Sequence, residues 1–525
     1  MIRRIFYAGV VATLALSTVG CTATNPTDSG TTNTSVSETL TVAIPADVEM
    51  LDPAVTMDNA AWKISYPAYE RLVGFKAETT ELQPELATSW TPSEDGKTWT
   101  FTLESGHKFS DGNEVDANAI KFSFDRLLKI NKGPAGNFTE VASVEATSPT
   151  EVRFTLKAPF AAFVSKLATN GASIVNPKVM DHEQAGDLGQ AYLSDHTMGS
   201  GIYELQQHIK GQSLTLVANK NFTGTAPAIS KVVFKVVADS SAQRLQLENG
   251  DVDIAEGITT DQIAALTGKS GITVVKKPSL LVNYLYMNVG SSGAAGLKHS
   301  EVRQAISYGI DYDGIIQASQ KGNAVQMRGP IPQGMTGYDD GLFQYDHDPV
   351  KAKQLLASAG VGSVGPLTLL YSDHQPWWPT EALAIQANLE EVGIEVKLNQ
   401  VDYATERALL DQGTFDLALG VWSPDYADPY MFMNFWFDSE FAGLAGNRAF
   451  YNNSHVDNML RQAATSTDEA ERLKLYSQVQ KAVVDDPPYA YLYQREYLLP
   501  IRSSVSGFVY NPMLEGIYNL AEMTK

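Results

Sequence analysis

Cysteine is nearly absent from this chain. Of 525 residues only Cys21 carries a thiol, so no internal disulfide can form and cysteine-based metal sites are excluded. The eight histidines are scattered, with no pair at helical ligand spacing, and neither a metal nor a cofactor is expected. Basic residues are outnumbered, 39 against 60 acidic, for a formal charge of −21. Loss of Arg3 and Arg4 with an N-terminal signal would deepen that deficit. The balance argues against a nucleic-acid partner and is read as solubility for an exported protein. After the first twenty residues no apolar run is long or pure enough to span a membrane. Signatures of catalysis are equally thin. Gly268-Lys269-Ser270 looks like the tail of a phosphate-binding loop, but Ile263 stands where that motif requires its first glycine. Ser105 and Lys108 have the spacing of a serine-lysine hydrolase pair, yet the other elements of that class do not follow. The chain is therefore read as a non-enzyme.

What is present begins at the N-terminus. Arg3 and Arg4 precede an apolar run at 5–16 and then small residues leading to Cys21, the layout of an export signal. The run is too short to cross a bilayer as a mature helix. Ser17-Thr18-Val19-Gly20-Cys21 resembles a bacterial lipoprotein processing site, which implies cleavage before Cys21 and a diacylglycerol on its sulfur; Thr18 stands where such sites more often carry Leu. The alternative is a plain secretion signal with an incidental cysteine. Residues 22–38 are almost entirely small and polar, the composition of a flexible linker.

The globular chain is expected to start near Thr39, where Leu40, Val42 and Ile44 alternate with polar or small residues as in a half-buried strand. Roughly 485 residues remain, too many for one core, which predicts two or three packed units. A hydrophobic fraction of 44% can fill such cores, while 40 Gly and 24 Pro imply many turns. Asp95-Gly96-Lys97 followed by alternating Thr98 to Leu103 reads as a tight turn opening a strand. Residues 117–128 place Ile120, Phe124, Leu127 and Leu128 on one side of a helix, capped by Asp116 or Asn118. Asp348-Pro349 reads as a helix start, with the aspartate as cap. Arg303 is expected to tie the helix at 302–310 to a neighbouring carboxylate. Strand and helix patterns alternate in both halves, so an α/β architecture follows.

Several segments match one family in order and spacing: Leu51-Asp52-Pro53-Ala54, Tyr69-Glu70-Arg71-Leu72-Val73, Leu82-Gln83-Pro84-Glu85-Leu86-Ala87, Phe109-Ser110-Asp111-Gly112, Gly199-Ser200-Gly201-Ile202-Tyr203, Leu247-Glu248-Asn249-Gly250-Asp251-Val252-Asp253 and Val302-Arg303-Gln304-Ala305-Ile306. Together they resemble the bacterial extracellular solute-binding proteins of family 5, receptors for peptides, nickel complexes and some oligosaccharides that feed ABC importers. The resemblance covers essentially the whole mature chain. It implies a two-lobed, hinge-closing binding-protein fold with an additional α+β subdomain on the first lobe. Carried over, lobe I takes 39–80, 195–275 and 492–525, the extra subdomain 81–194, and lobe II 276–491. Lys276-Lys277-Pro278-Ser279 and 495–500 are the candidate hinge crossings. The implied partners are a peptide or other small solute, an ABC permease with its ATPase subunits, and the cell membrane through the lipid anchor. The protein is expected to be a monomer on the outer face of the cell membrane, in the periplasm where an outer membrane exists.

The most specific local motif is Trp422-Ser423-Pro424-Asp425-Tyr426-Ala427-Asp428-Pro429. In peptide-binding members the matching aspartate holds the ligand's α-ammonium and the tryptophan lines a side-chain pocket, which implies those roles for Asp425 and Trp422, with Ser423 beside them. Either residue could instead be scaffold, Asp425 ordering its own loop and Trp422 filling a core. Tyr284, Tyr286 and Asn288 in the strand entering lobe II, and Glu49 and Met50 after the first strand, are further candidates for the cleft. Trp377-Trp378 beside His374 forms an aromatic loop that either covers ligand or seals a lobe. Leu419 occupies a position where some oligopeptide receptors carry an arginine that neutralises a short peptide's carboxylate, which leaves open a longer peptide or a non-peptide solute. The other readings are a nickel-chelate or oligosaccharide receptor of the same family and, from a different class, an exported hydrolase.

Overall fold

The computed structural model describes residues 39–361 and 364–525. Cys21, the export signal and the linker through residue 38 lie outside them. The architecture is mixed α/β, organised on an eleven-stranded sheet that runs through the molecule. The strand Thr39–Ile44 alternates as its sequence predicts, and Leu40 and Val42 are wholly buried. It pairs in parallel with Lys231–Val236 and Ile254–Ala255, and the hairpin Tyr203–Ile209 with Ser213–Ala218 completes that end. At the other end Leu367–Ser372 lies parallel to Val396–Val401 and Leu417–Trp422.

Two long strands join the ends. Ile272–Met287 and Tyr489–Arg502 pair antiparallel over almost their full length, with register shifts between Pro278 and Val282 and between Asn283 and Tyr284. The stretches expected to carry the crossings face each other within this pair: Lys276 opposes Leu498 and Pro278 opposes Glu496.

Buried residues separate into distinct cores. One is built from 40–64, 203–254 and 499–523. A second draws almost wholly on 280–493. A third fills the space between the antiparallel sheet Ala87–Pro92, Thr98–Leu103, Glu151–Leu156, Val141–Ser148 and the helix Ala117–Ile130. Leu72, Val73 and Phe75 belong to this third core. The reason is that Val73–Phe75 pairs with Leu82–Pro84, which leads straight into that sheet.

Local chemistry accounts for the elements. Asp95 accepts from the Lys97 amide at 3.1 Å and Gly96 takes φ +65, which closes the turn before Thr98–Leu103. Asp116, not Asn118, caps the helix Ala117–Ile130, accepting from the Ala119 amide at 3.0 Å. Asp348 caps Pro349–Ser358 through the Lys351 amide at 2.8 Å. Arg303 pairs with Asp486 and also donates to the carbonyls of Pro487 and Leu297. Gly201 has a packing reason: a Cβ there would lie 2.3 Å from the Pro67 carbonyl oxygen, so only glycine lets this turn pass the end of the helix Asn59–Ala68.

Candidate functional site

Between the first and second cores lies a cavity of about 550 Å³. One wall comes from the helix Asn59–Ala68 (Trp62, Lys63), from Glu256 just after the strand Ile254–Ala255, and from the C-terminal segment (Met513, Glu515). The facing wall is Leu280, Leu281 and the loop Ser423-Pro424-Asp425. Asp425 is held at this wall by structure on both sides of it. Upstream, Leu417–Trp422 is locked into the sheet against 282–287. Downstream, Asp428 accepts from the Tyr430 amide at 2.9 Å and takes the Arg472 guanidinium at 2.7 and 3.0 Å, which fixes the start of the buried helix Tyr430–Phe437.

Asp425 itself has no hydrogen bond or ion pair among the described residues. Its side chain opens to the cavity, yet surrounding protein pushes its carboxyl above the usual range, while the Lys166 ammonium pulls the other way. Those facts agree if the carboxylate sees water through the cavity rather than bulk solvent. Lys166 is already engaged: it lies 2.9 Å from Glu140, over the rings of Phe160 and Tyr426. The other acids of the cavity differ from one another. Glu256 pairs with Lys63 at 3.2 Å and accepts from the Tyr518 hydroxyl at 2.6 Å. Glu515 has no such partner among the described residues, and burial raises its pKa against the fields of Arg495 and Lys63. The cavity therefore carries more negative than positive charge, and the free carboxylate of Asp425 suits a cationic group.

Trp422 and Ser423 are close in sequence but not in exposure. Ser423 lines the cavity with Asp425, whereas Trp422 opens onto an adjoining chamber of about 320 Å³ that shares Leu281 and Ser423 with the first. Tyr284, Tyr286 and Asn288 do not reach either chamber. Tyr284 stacks on Tyr489 with ring centres 5.4 Å apart and packs against Trp436 at 4.5 Å. Tyr286 accepts from Arg448 at 2.8 Å. Asn288 donates to the carbonyls of Gly413 and Phe415 at 2.7 and 2.8 Å. Every residue from Val282 to Met287 is buried, so alternation along this central strand does not sort core from cleft. Glu49 is exposed, Met50 is half-buried, and neither lines the cavity.

The aromatic loop divides its work. Trp377 donates to Asn283 at 3.2 Å under the Arg495 guanidinium and seals the sheet, while Trp378 lines the second chamber. Sequence reasoning missed Trp62, Lys63, Glu256 and Glu515. Only the return of the C-terminal segment to the first lobe hinted at the last of these. Among the described residues no cluster could hold a metal ion, and no helix is long and apolar enough to cross a membrane.

Comparison with known proteins places this geometry. Residues 81–443 match the family described as bacterial extracellular solute-binding proteins, family 5 Middle. The "Probable D,D-dipeptide-binding periplasmic protein DdpA" of Escherichia coli (strain K12) is 46% identical over 490 residues, covering 93% of this chain and 94% of that protein. Among solved structures, HbpA2 from Haemophilus parasuis superposes with a TM-score of 0.84 at 24% identity, over 92% of this chain and 99% of its own. The periplasmic binding protein DppA from Helicobacter pylori, in complex with the peptide STSA, gives 0.72 at 27% identity, over 93% and 98%.

Proposed function

The chain belongs to the bacterial extracellular solute-binding proteins of family 5, non-enzymatic receptors of ABC importers, and from that premise we propose that its solute is a peptide whose α-ammonium is gripped by Asp425. The observation that carries this reading is the unpaired carboxylate of Asp425 on the wall of a cavity shared by two cores. One fixed charge recognises the common end of every peptide, while the remaining wall and its water tolerate different side chains. The peptide-related names of the relatives point the same way.

In this reading the core of 40–64, 203–254 and 499–523 is lobe I and that of 280–493 is lobe II. They close about the paired strands near Pro278 and Glu496, where the register already breaks. The closed receptor hands its peptide to a membrane permease. A lipid on Cys21 tethers it to the outer face of the cell membrane. No chemistry occurs on the peptide. The test is mass spectrometry of solute released from the purified protein, followed by calorimetry with free and N-acetylated forms of the same peptide. Intact peptide with a free amine, and loss of binding on acetylation, is the expected result. Time-dependent cleavage of added peptide, or release of a sugar or metal chelate alone, would overturn the proposal.

A further inference from the structure

The loop that presents Asp425 to the cavity has a second face, and the third core packs against it. The Ala161 amide donates to the Ala464 carbonyl at 2.9 Å, and the rings of Phe160 and Tyr430 meet edge to face with centres 5.1 Å apart. Ala162 is buried in the second core and Ala427 in the third, so each side sends a residue into the interior of the other. Segment 160–166 is thereby fixed behind residues 425–430.

Lys166 stands in the middle of this contact. It closes the short helix Phe163–Lys166, and Phe163, Val164 and Leu167 root that turn in the third core. Its side chain is only 9% exposed and pairs with Glu140 at 2.9 Å, while its ammonium lies 4.5 Å from the Phe160 ring centre and 5.1 Å from that of Tyr426. A lysine is seldom buried so deeply, and as a plain packing piece between two cores an apolar side chain would serve with less desolvation. The retained charge has two targets. An ammonium over an aromatic face is attracted to it, so Lys166 holds Tyr426, the residue next to Asp425. It also acts on Asp425 itself: burial raises the Asp425 carboxyl, and the field of Lys166 opposes that rise. Burial in turn lowers the pKa of Lys166, against the fields of Glu140, Asp428 and Asp425. The other charged groups nearby are engaged elsewhere or carry the opposite sign. Asp428 is bound to Arg472 at 2.7 Å; across the cavity Glu256 pairs with Lys63, and Glu515 is a second carboxylate.

We propose that the third core takes part in solute recognition through Lys166, a positioning residue that holds the Asp425 loop by Tyr426 and keeps the Asp425 carboxylate charged. The proposal rests on the reading of Asp425 as the ammonium anchor and deepens it. Lys166 does not line the cavity and touches no solute. Its place behind the loop lets it stabilise the anion from the side that a solute does not occupy.

The test is titration of Asp425 in the full chain by NMR of protein labelled at the aspartate carboxyl carbons, the Asp425 signal being assigned by its loss in Asp425→Asn. Calorimetry with Ala-Ala from about pH 4 to about pH 7 runs beside it. Lys166→Met, which keeps an unbranched stem, is expected to raise the Asp425 midpoint by about half a pH unit, and Glu140→Gln, which frees the ammonium, to lower it. The pH at which Ala-Ala affinity is lost should move in the same two directions, with affinity at the upper end of the range undiminished in Lys166→Met, and Lys166→Arg should restore the wild-type midpoint. A purely structural lysine would weaken binding at every pH and leave the midpoint in place. Midpoints that stay put, or that move the same way in both variants, overturn the proposal; if Lys166→Met does not fold, the direction of the Glu140→Gln midpoint decides alone. Midpoints that move as expected while Ala-Ala binds without pH dependence, or does not bind, would instead overturn the reading of Asp425 as anchor, and the role of Lys166 in recognition with it.

Discussion

Replacing Asp425 by asparagine removes one charge and little else, because the side chain makes no hydrogen bond within the described protein. Two unit charges about 4 Å apart at an effective dielectric near 20 attract by about 4 kcal/mol. The open, water-filled side of the cavity screens part of this, and asparagine still accepts a hydrogen bond from an ammonium. A loss of roughly 2 kcal/mol in peptide binding is the net expectation, or about thirtyfold in Kd. Folding should respond in the opposite sense. A carboxyl whose pKa is raised by burial takes up its proton more readily in the folded state, so its ionised form costs stability above the unfolded pKa. Asp425→Asn should therefore leave the melting temperature unchanged or slightly raised. The assay is titration calorimetry with a free-amine peptide beside thermal unfolding of the unliganded protein. Unchanged affinity, or a melting temperature several degrees lower, would show that Asp425 serves its loop and not a ligand. The wild type adds a further check: cation binding favours the ionised carboxylate, so affinity should fall as pH drops through the raised pKa of Asp425.

The neighbouring acid should behave in reverse. Asp428→Asn leaves the buried Arg472 guanidinium without its partner at 2.7 Å and should cost about 3–5 kcal/mol of stability; an unchanged unfolding midpoint in denaturant would refute the assignment. Glu381 is fully buried, and burial raises its pKa to about 7 despite the Tyr493 hydroxyl that donates to it. The folded state thus holds a proton there that the unfolded chain releases above its ordinary pKa of 4.5. Stability should fall as pH rises from about 4.5 to about 7, by on the order of 3 kcal/mol from this group, and then level off; Glu381→Gln should flatten that slope, measured by denaturant titration at several pH values. For the tether, Cys21→Ser should move the protein from the membrane fraction to the soluble extracytoplasmic one, and retention at the membrane would count against lipid attachment.

Much of the fold could be read where one residue type has one local job. Asp95, Asp116 and Asp348 order the first amides of the turn or helix they precede, and Trp99, Phe101 and Leu103 alternate because their sheet has one buried face. The same logic fails in the central strand. Tyr284 and Tyr286 sit on a segment buried on both faces, so an aromatic there carries no sign of cavity or core. The candidate site was legible only as far as its one contiguous motif. Glu515 is assembled with Asp425 by the return of the chain across the long paired strands, and no spacing rule in the sequence brings residues 90 apart to one wall.

That contiguous motif separates two demands that conflict in a binding loop. A carboxylate able to grip a passing cation must be left unpaired, and an unpaired carboxylate gives its loop nothing to hold on to. Here the holding is done by Asp428, bound to Arg472 and to the Tyr430 amide, and by the sheet pairing that ends at Trp422. Between those anchors Ser423, Pro424 and Asp425 have little freedom left, with Pro424 fixing its own φ and restricting Ser423 before it. In the proposed reading the loop is ordered before a solute arrives, so binding need not meet that entropy cost again. This is why Asp425 and Asp428, three residues apart and chemically identical, should give opposite phenotypes when neutralised: one loses ligand and keeps its fold, the other loses its fold first.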